Sequence, residues 1–265
     1  MIVPTPANDT GPIANKVATV TFIFWIMKIC ATTVGETGGD LLSMTLNIGY
    51  AASSLILIGF FLVALAVQMR AKRFHPFLYW AVILATSTAG TTISDYMDRS
   101  LGLGYATGAA ILAALLVAVL LAWRFTLGSI RVDHIHRPPV ELFYWAAILV
   151  SNTLGTALGD YLADSSGLGY GVSNLIISGA IGLCVLGYFF TPISRTALFW
   201  AAFVLTRPFG ATMGDLLTKS PDKGGLGIGT AGSSAVLLAI LVGLILYTIY
   251  ESQRKSRSLP SPGSN

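Results

Sequence analysis

Long apolar runs alternate with short polar turns along almost the whole chain. Eight runs stand out, each close to the ~20 residues that a helix needs to cross a lipid bilayer. They cover residues 17–36, 49–69, 76–95, 105–123, 141–160, 170–190, 196–215 and 229–249. This pattern predicts an all-α membrane protein with eight transmembrane helices.

The eight runs form four similar pairs. An aromatic-Trp dipeptide opens the first run of each pair, and an aspartate follows every Trp by 15 residues. A glycine precedes each aspartate by five residues, and a Gly-Tyr dipeptide follows the first three aspartates by nine residues. The aspartates are Asp40, Asp95, Asp160 and Asp215. Repetition of one spacing indicates four tandem two-helix repeats in a pseudo-symmetric bundle. Since two spans return the chain to its starting side, the copies are parallel rather than inverted.

The repeats divide the chain into three parts. A transmembrane bundle is expected over residues 17–250, between a cytoplasmic N-terminal segment, residues 1–16, and a polar, disordered cytoplasmic tail, residues 251–265. Within the bundle, the repeats are assigned to residues 17–70, 71–124, 140–190 and 195–250.

Composition agrees with this organisation. Of the 265 residues, 54% are hydrophobic and 11% are charged, and the mean hydropathy is +0.73. A soluble domain carries roughly 25% charged residues, so a soluble globular protein, a disordered chain and a nucleic-acid binder are excluded. Cys30 and Cys184 lie in apolar runs, which argues against a disulfide framework.

Basic residues are concentrated in the segments on one side of the predicted bundle. That side carries Lys16, Arg70, Lys72, Arg73, Arg124, Arg131, Arg137, Arg195, Arg254, Lys255 and Arg257, whereas the other carries Arg99, Lys219 and Lys223. Cytoplasmic loops are enriched in Lys and Arg, so both termini are expected in the cytoplasm.

The repeat resembles a bacterial multi-pass membrane protein family that is built from a four-fold repeat of unknown function. The resemblance rests on the W-x15-D spacing with its intervening glycine and covers roughly residues 16 to 250. It implies a bacterial inner-membrane protein with eight helices, and it implies no particular activity.

Polar residues precede each aspartate on the same helix face, at spacings of three, four, seven and eight residues. Unpaired polar groups facing lipid would cost several kcal/mol each. We therefore expect the four stripes to face one shared, wet interior. The predicted binding set is Asp40, Asp95, Asp160, Asp215, Glu36, Thr37, Thr92, Thr156, Thr212, Asn152, Lys28 and Arg207.

Oxygen ligands of this kind suit hard divalent cations or protons. The candidate metal ligands are Glu36, Asp40, Asp95, Asp160 and Asp215. Intramembrane charges mark function or pairing, so Lys28 and Arg207 either neutralise nearby acids or bind an anionic substrate. His134 and His136 form an isolated H-x-H in a basic loop, and the four repeated Trp residues are expected to be interfacial anchors.

These features favour a secondary transporter or carrier of a small ion or polar solute, with a divalent cation or proton as the transported or coupling ion and no other cofactor. One alternative is a structural or sensory membrane protein, because a glycine and a small residue four positions apart also serve helix packing. A remote alternative is an intramembrane aspartyl enzyme, but no catalytic motif supports an enzyme. The expected partners are the lipid bilayer and a small ion or solute, with no nucleic acid; substrate and oligomeric state stay open.

Overall fold

The computed structural model describes residues 16–132, 135 and 137–258, with side chains up to residue 254. His134 and His136 lie outside these residues. Within the described part of the chain, the secondary structure is entirely helical. The long helices are α1 (Phe22–Asp40), α2 (Tyr50–Arg70), α3 (Pro76–Asp95), α4 (Tyr105–Leu127), α5 (Pro138–Asp160), α6 (Gly169–Phe190), α7 (Arg195–Thr218) and α8 (Thr230–Ser258).

The ends of the helices follow from local sequence. Thr21 and Ser194 cap α1 and α7 by accepting hydrogen bonds from backbone N–H groups three residues later. Pro76 and Pro138 begin α3 and α5, where a missing N–H costs nothing. Each even-numbered helix is entered through a glycine whose positive φ (72° to 86°) a side chain would disfavour. These glycines are Gly49, Gly104, Gly169 and Gly229.

In three of the repeats, a short π-helix directly follows the repeated aspartate. The π-helices are Leu41–Thr45, Tyr96–Ser100 and Tyr161–Ser165, whereas the fourth repeat continues as α-helix to Thr218 and then forms a short 3-10 turn, Pro221–Lys223. Such segments are rare and often occur at functional sites.

The odd-numbered helices form a closed inner ring. α1 packs against α3 and α7, and α5 packs against the same two helices. Each even-numbered helix lies outside this ring, on the odd-numbered helix of the next repeat: α2 on α3, α4 on α5, α6 on α7, and α8 on α1. The last helix therefore closes the ring against the first, as expected for four equivalent repeats around one axis.

The repeated glycines allow the inner helices to approach closely. Gly35 lies against Ser87, Gly90 against Asn152 and Thr153, Gly155 against Arg207 and Pro208, and Gly210 against Thr32. In every case the glycine meets the residue eight positions before the aspartate of the next repeat. This is the small-residue packing that brings membrane helices together.

The outer helices carry the apolar surface, where Leu55, Val63, Leu175 and Leu183 are exposed. Among the described residues, six helices are long and apolar enough to cross a membrane: α2, α4, α6, α8, and α3 and α5 with their π-helices. The remaining two, α1 and α7, carry buried charged residues, which are Lys28, Glu36 and Asp40 in α1 and Arg207 and Asp215 in α7. α8 continues to Ser258, so the helix extends beyond the predicted boundary at residue 250.

The expectation that the repeated Trp residues are interfacial anchors is wrong. Trp80, Trp145 and Trp200 are buried. Each repeated Trp packs against the aromatic residue of the preceding repeat, and the pairs are Phe24–Trp80, Tyr79–Trp145, Tyr144–Trp200 and Phe199–Trp25. The four pairs form an aromatic ring at the end of the bundle opposite the aspartates, within which Tyr79 and Tyr144 share a hydrogen bond of 2.7 Å.

Candidate functional site

The polar stripes of the four odd-numbered helices meet along the axis of the inner ring. Within this polar column, the four repeated aspartates form the outermost layer and are each only 2–3% exposed. They share one interior, as predicted. That interior is packed with side chains rather than open and wet, because the groups one and two turns further in are almost completely buried.

Asp95, Arg99 and Asp160 form a cation clamp between the second and third repeats. The Arg99 Nε lies 3.0 Å from Asp95 Oδ1, and its Nη2 lies 3.4 Å from Asp160 Oδ2. The guanidinium also lies over two tyrosine rings, 5.9 Å from the centre of Tyr50 and 5.7 Å from that of Tyr105. We call this group the Arg clamp.

Asp215, Lys219 and Asp40 form the equivalent group between the fourth and first repeats, the Lys clamp. The Lys219 Nζ lies 2.8 Å from Asp40 Oδ2 and 3.0 Å from Asp215 Oδ1. In both clamps the basic residue follows the aspartate of its own repeat by four positions and reaches the aspartate of the next repeat. The two clamps therefore give the column an approximate two-fold character within its four-fold backbone.

One turn further in, Glu36 pairs with Arg207 on the axis. Arg207 Nη2 donates to Glu36 Oε2 at 3.0 Å and to Thr156 Oγ1 at 2.7 Å. It also donates to Thr91 Oγ1, which in turn donates to Glu36 Oε2 at 3.2 Å. The predicted pairing of Arg207 with an intramembrane acid is thus present, and all four inner helices contribute to it.

Lys28 does not neutralise an acid. Its Nζ donates to Asn152 Oδ1 at 3.3 Å and lies 4.1 Å from the centre of the Phe203 ring. Asn152 Nδ2 donates to Thr86 Oγ1 at 2.9 Å, which fixes the amide orientation. Ile83, Ile148 and Phe203 occupy the positions equivalent to Lys28 in the other repeats, and all three are fully buried. The column therefore ends in an apolar layer that holds one amine.

Three predicted threonines lie off the axis. Thr37 accepts a hydrogen bond from Ser234 of α8 at 2.7 Å, and Thr212 accepts one from Asn174 of α6 at 3.0 Å. Thr92 donates to the carbonyl of Ala89 in its own helix. All three precede their aspartates by three positions, and Thr37 and Thr212 turn toward the outer helices. Thr156, four positions before Asp160, faces the axis instead.

Three carboxylates come especially close together. One oxygen each from Glu36, Asp160 and Asp215 lies within 4.8 Å of the others. Asp160 belongs to the Arg clamp and Asp215 to the Lys clamp, so this group joins the Glu36–Arg207 layer to both clamps. Asp40 and Asp95 complete the acidic set as the second carboxylates of the two clamps.

Sequence reasoning missed Arg99, Lys219 and Thr91 as site residues. Arg99 and Lys219 were counted as loop charges on the outer side, although their spacing of four from an aspartate was a visible signal of pairing on one helix face. The two tyrosines over Arg99 follow the Gly-Tyr spacing that was recognised only as a marker of the repeat.

A separate cavity of about 520 Å³ lies beside the first turn of α1 at the aromatic end of the bundle. Phe22, Phe24, Phe74 and Trp80 line it, with Glu251 from α8. None of its lining residues belongs to the polar column.

Comparison with known proteins identifies the repeat. A family model described as a Repeat of Unknown Function (DUF347) matches four segments, residues 23–74, 78–128, 143–194 and 198–254. The four segments coincide with the four two-helix units of the bundle. No curated protein and no solved structure matches the chain significantly.

Proposed function

The chain belongs to the family defined by the Repeat of Unknown Function (DUF347), and we propose that it is a secondary transporter or carrier of a small cation or polar solute. One observation carries the proposal: the acidic stripes of all four repeats converge on one buried axis. Intramembrane ionisable groups are costly and generally mark ion or proton pathways.

The charge balance of the column favours a cation. Glu36 and the four repeated aspartates supply five carboxylates, whereas Arg99, Lys219 and Arg207 are the basic groups paired with them in the described part of the chain. With all of these groups ionised, the five carboxylates outnumber their three basic partners by two charges, because Arg99 and Lys219 each serve two aspartates. Buried charges require compensation, so we infer that the column takes up protons or a cation, with Glu36, Asp160 and Asp215 as the central ligands.

The proposal includes eight membrane crossings. α1 and α7 are less apolar than the other six helices, but they lie in the inner ring under α8 and α6, where polar residues are shielded from lipid. The end of the bundle that carries most of the Lys and Arg residues is placed in the cytoplasm, so both termini lie on the cytoplasmic side of a bacterial inner membrane. Cysteine labelling in intact cells tests this topology: a thiol at Asp222→Cys is expected to react with an impermeant reagent, and one at Lys72→Cys is not.

An enzymatic role is not proposed. A catalytic aspartyl pair shares a proton between two carboxyl groups, whereas Arg99 or Lys219 engages each repeated aspartate here. A purely structural role for the column is the competing hypothesis, because the same contacts also hold the repeats together.

Flux through proteoliposomes decides between transport and structure. Purified full-length protein is reconstituted into liposomes that contain a pH-sensitive dye or a Mn²⁺-sensitive dye. An imposed gradient of protons or of Mn²⁺ then drives uptake. Asp40→Asn, Asp95→Asn, Asp160→Asn and Asp215→Asn are each expected to reduce flux strongly. Asp222→Asn, which removes a fully exposed loop carboxylate, is the matched control. Unchanged flux in all four variants, or no flux in the unmodified protein, contradicts the proposal.

A further inference from the structure

We propose that the Arg clamp and the Lys clamp are binding sites for organic cations with N–H donors, of the guanidinium or primary ammonium class. Arg99 and Lys219 are then tethered occupants, which a free cation of the same class displaces. The inference rests on the proposed function, since it names the substrate class of the same column.

The clamps hold two different head groups in the same way. In the Arg clamp a guanidinium bridges an aspartate of its own repeat and one of the next, and in the Lys clamp an ammonium does so. In the first and third repeats the equivalent positions hold Met44 and Asp164, so each cation serves two repeats. The carboxylate pair therefore selects for positive charge and N–H donors rather than for one side chain.

In the Arg clamp, the side chain of the occupant is partly exposed, but the carboxylates that bind it are not. The side chain of Arg99 is 31% exposed, whereas those of Asp95 and Asp160 are 2% and 3% exposed. The aspartates are fixed on packed inner helices, and the long arginine side chain reaches them from the outer mouth. When Arg99 leaves, two desolvated carboxylates remain, and such groups bind a replacement cation strongly.

Aromatic rings are an independent indication of the ligand class. Tyr50 and Tyr105 both lie within cation–π distance of the Arg99 guanidinium, and Arg99 Nη1 donates to the Tyr50 hydroxyl at 3.4 Å. The tyrosines begin α2 and α4, which are the outer helices packed on α3 and α5, and α3 and α5 carry Asp95 and Asp160. Ring faces stabilise weakly hydrated organic cations, whereas a divalent metal ion requires oxygen ligands in its place.

A tethered occupant weakens binding of its free counterpart. A short flexible connection holds a ligand at an effective concentration in the millimolar range. Free guanidinium competes with Arg99 at this concentration in the unmodified protein. Removal of the side chain is therefore expected to raise the affinity for guanidinium by about tenfold or more.

Chemical rescue tests the proposal without any transport measurement. The full-length protein and the variants Arg99→Ala and Lys219→Ala are heated in detergent with guanidinium chloride, methylammonium chloride, sodium chloride or magnesium chloride at equal, low millimolar ionic strength. Arg99→Ala is expected to lower the unfolding midpoint and guanidinium to restore most of the loss. Methylammonium is expected to do the same for Lys219→Ala. Calorimetric titration then measures the gain in affinity.

Control variants separate the clamp from general effects of salt. Arg195→Ala also removes an arginine stacked on a tyrosine, 4.3 Å from the ring centre of Tyr188, but no described carboxylate pairs with Arg195. Its midpoint is expected not to respond to guanidinium. In Asp95→Asn/Arg99→Ala, rescue is expected to disappear. Arg99→Gln replaces Arg99→Ala if the latter does not fold.

Two results overturn the proposal: guanidinium fails to rescue Arg99→Ala and Arg99→Gln, or sodium or magnesium ions rescue them equally well. Because the measurement is of binding, its result is independent of flux. Rescue without proton or Mn²⁺ flux in proteoliposomes refutes transport of those ions and leaves the clamp sites standing, whereas flux without rescue refutes the clamp sites alone.

Discussion

The Glu36 carboxylate and the Arg207 guanidinium meet on the bundle axis, 3.0 Å apart, and join the first repeat to the last. Both side chains are almost completely buried. Glu36→Gln leaves a buried guanidinium without its counter-charge, so it is expected to reduce the free energy of unfolding by about 3–5 kcal/mol. Denaturant titration of the protein in lipid–detergent mixtures measures the change.

A second variant separates charge from packing at this position. Glu36→Leu/Arg207→Met replaces the ion pair with apolar groups of similar volume and is expected to recover most of the lost stability. If this double variant also loses flux in proteoliposomes, the ion pair serves transport rather than folding. A double variant that stays as unstable as Glu36→Gln contradicts the interpretation.

The Gly90 contact makes a strong prediction about helix packing. A Cβ atom at Gly90 would lie 2.9 Å from the backbone N of Thr153 and 3.0 Å from the backbone C of Asn152. Because backbone cannot move aside cheaply, Gly90→Ala is expected to lower stability by about 1–3 kcal/mol. Gly59→Ala, on α2 with nothing within 4 Å of its Cβ, is the matched control. It is expected to be neutral or stabilising by up to about 1 kcal/mol.

The hydroxyl pair of Tyr79 and Tyr144 predicts non-additive effects. Tyr79→Phe leaves the buried Tyr144 hydroxyl without its partner and is expected to cost about 1–3 kcal/mol. Tyr79→Phe/Tyr144→Phe removes both hydroxyls and is expected to cost less than the single change. Phenylalanine already fills this position in the first and fourth repeats, as Phe24 and Phe199. A thermal-unfolding double-mutant cycle measures the coupling, and additive losses would argue against the hydrogen bond.

Lys16 is expected to fasten the chain just before α1 to the two halves of the bundle. Its Nζ pairs with the fully buried Glu141 at the start of α5 and donates to the carbonyl of Met69 at 3.0 Å. Lys16→Met leaves the Glu141 carboxylate buried and unpaired, so a loss of about 3–5 kcal/mol is expected. Lys72→Met, in an exposed turn, should leave the unfolding midpoint unchanged. Equal unfolding midpoints for the two variants would show that Lys16 does not fasten this segment.

Much of the architecture was predictable because the same sequence pattern occurs in four copies, so an inference about one copy applies to the other three. The W-x15-D spacing fixed the helix pairs, and the cost of polar groups in lipid required the stripes to face inward. The family match confirms the four-fold repeat. Eight crossings stay a prediction, since six helices meet the length and hydropathy expected of a span.

Side-chain partners were harder to predict than positions. Arg207 pairs with an acid because Glu36 lies one turn away along the axis, whereas Lys28 contacts Asn152 and Phe203 instead. The Trp residues were assigned to the lipid interface because a single helix does not reveal that the aromatic residue of the preceding repeat covers each one. The π-helices carry no compositional signature, so only coordinates reveal them.

The way the outer helices are offset by one repeat has a consequence for biosynthesis. Among the eight described long helices, α1 is synthesised before the others, and its outer cover, α8, is synthesised after them. Until synthesis of α8 is complete, the flank of α1 that α8 will shield has no partner in the chain. During synthesis, the insertion machinery or a chaperone is therefore expected to shelter α1, which carries Lys28, Glu36 and Asp40. Premature termination before α8 is expected to destabilise α1, although the two helices are far apart in sequence.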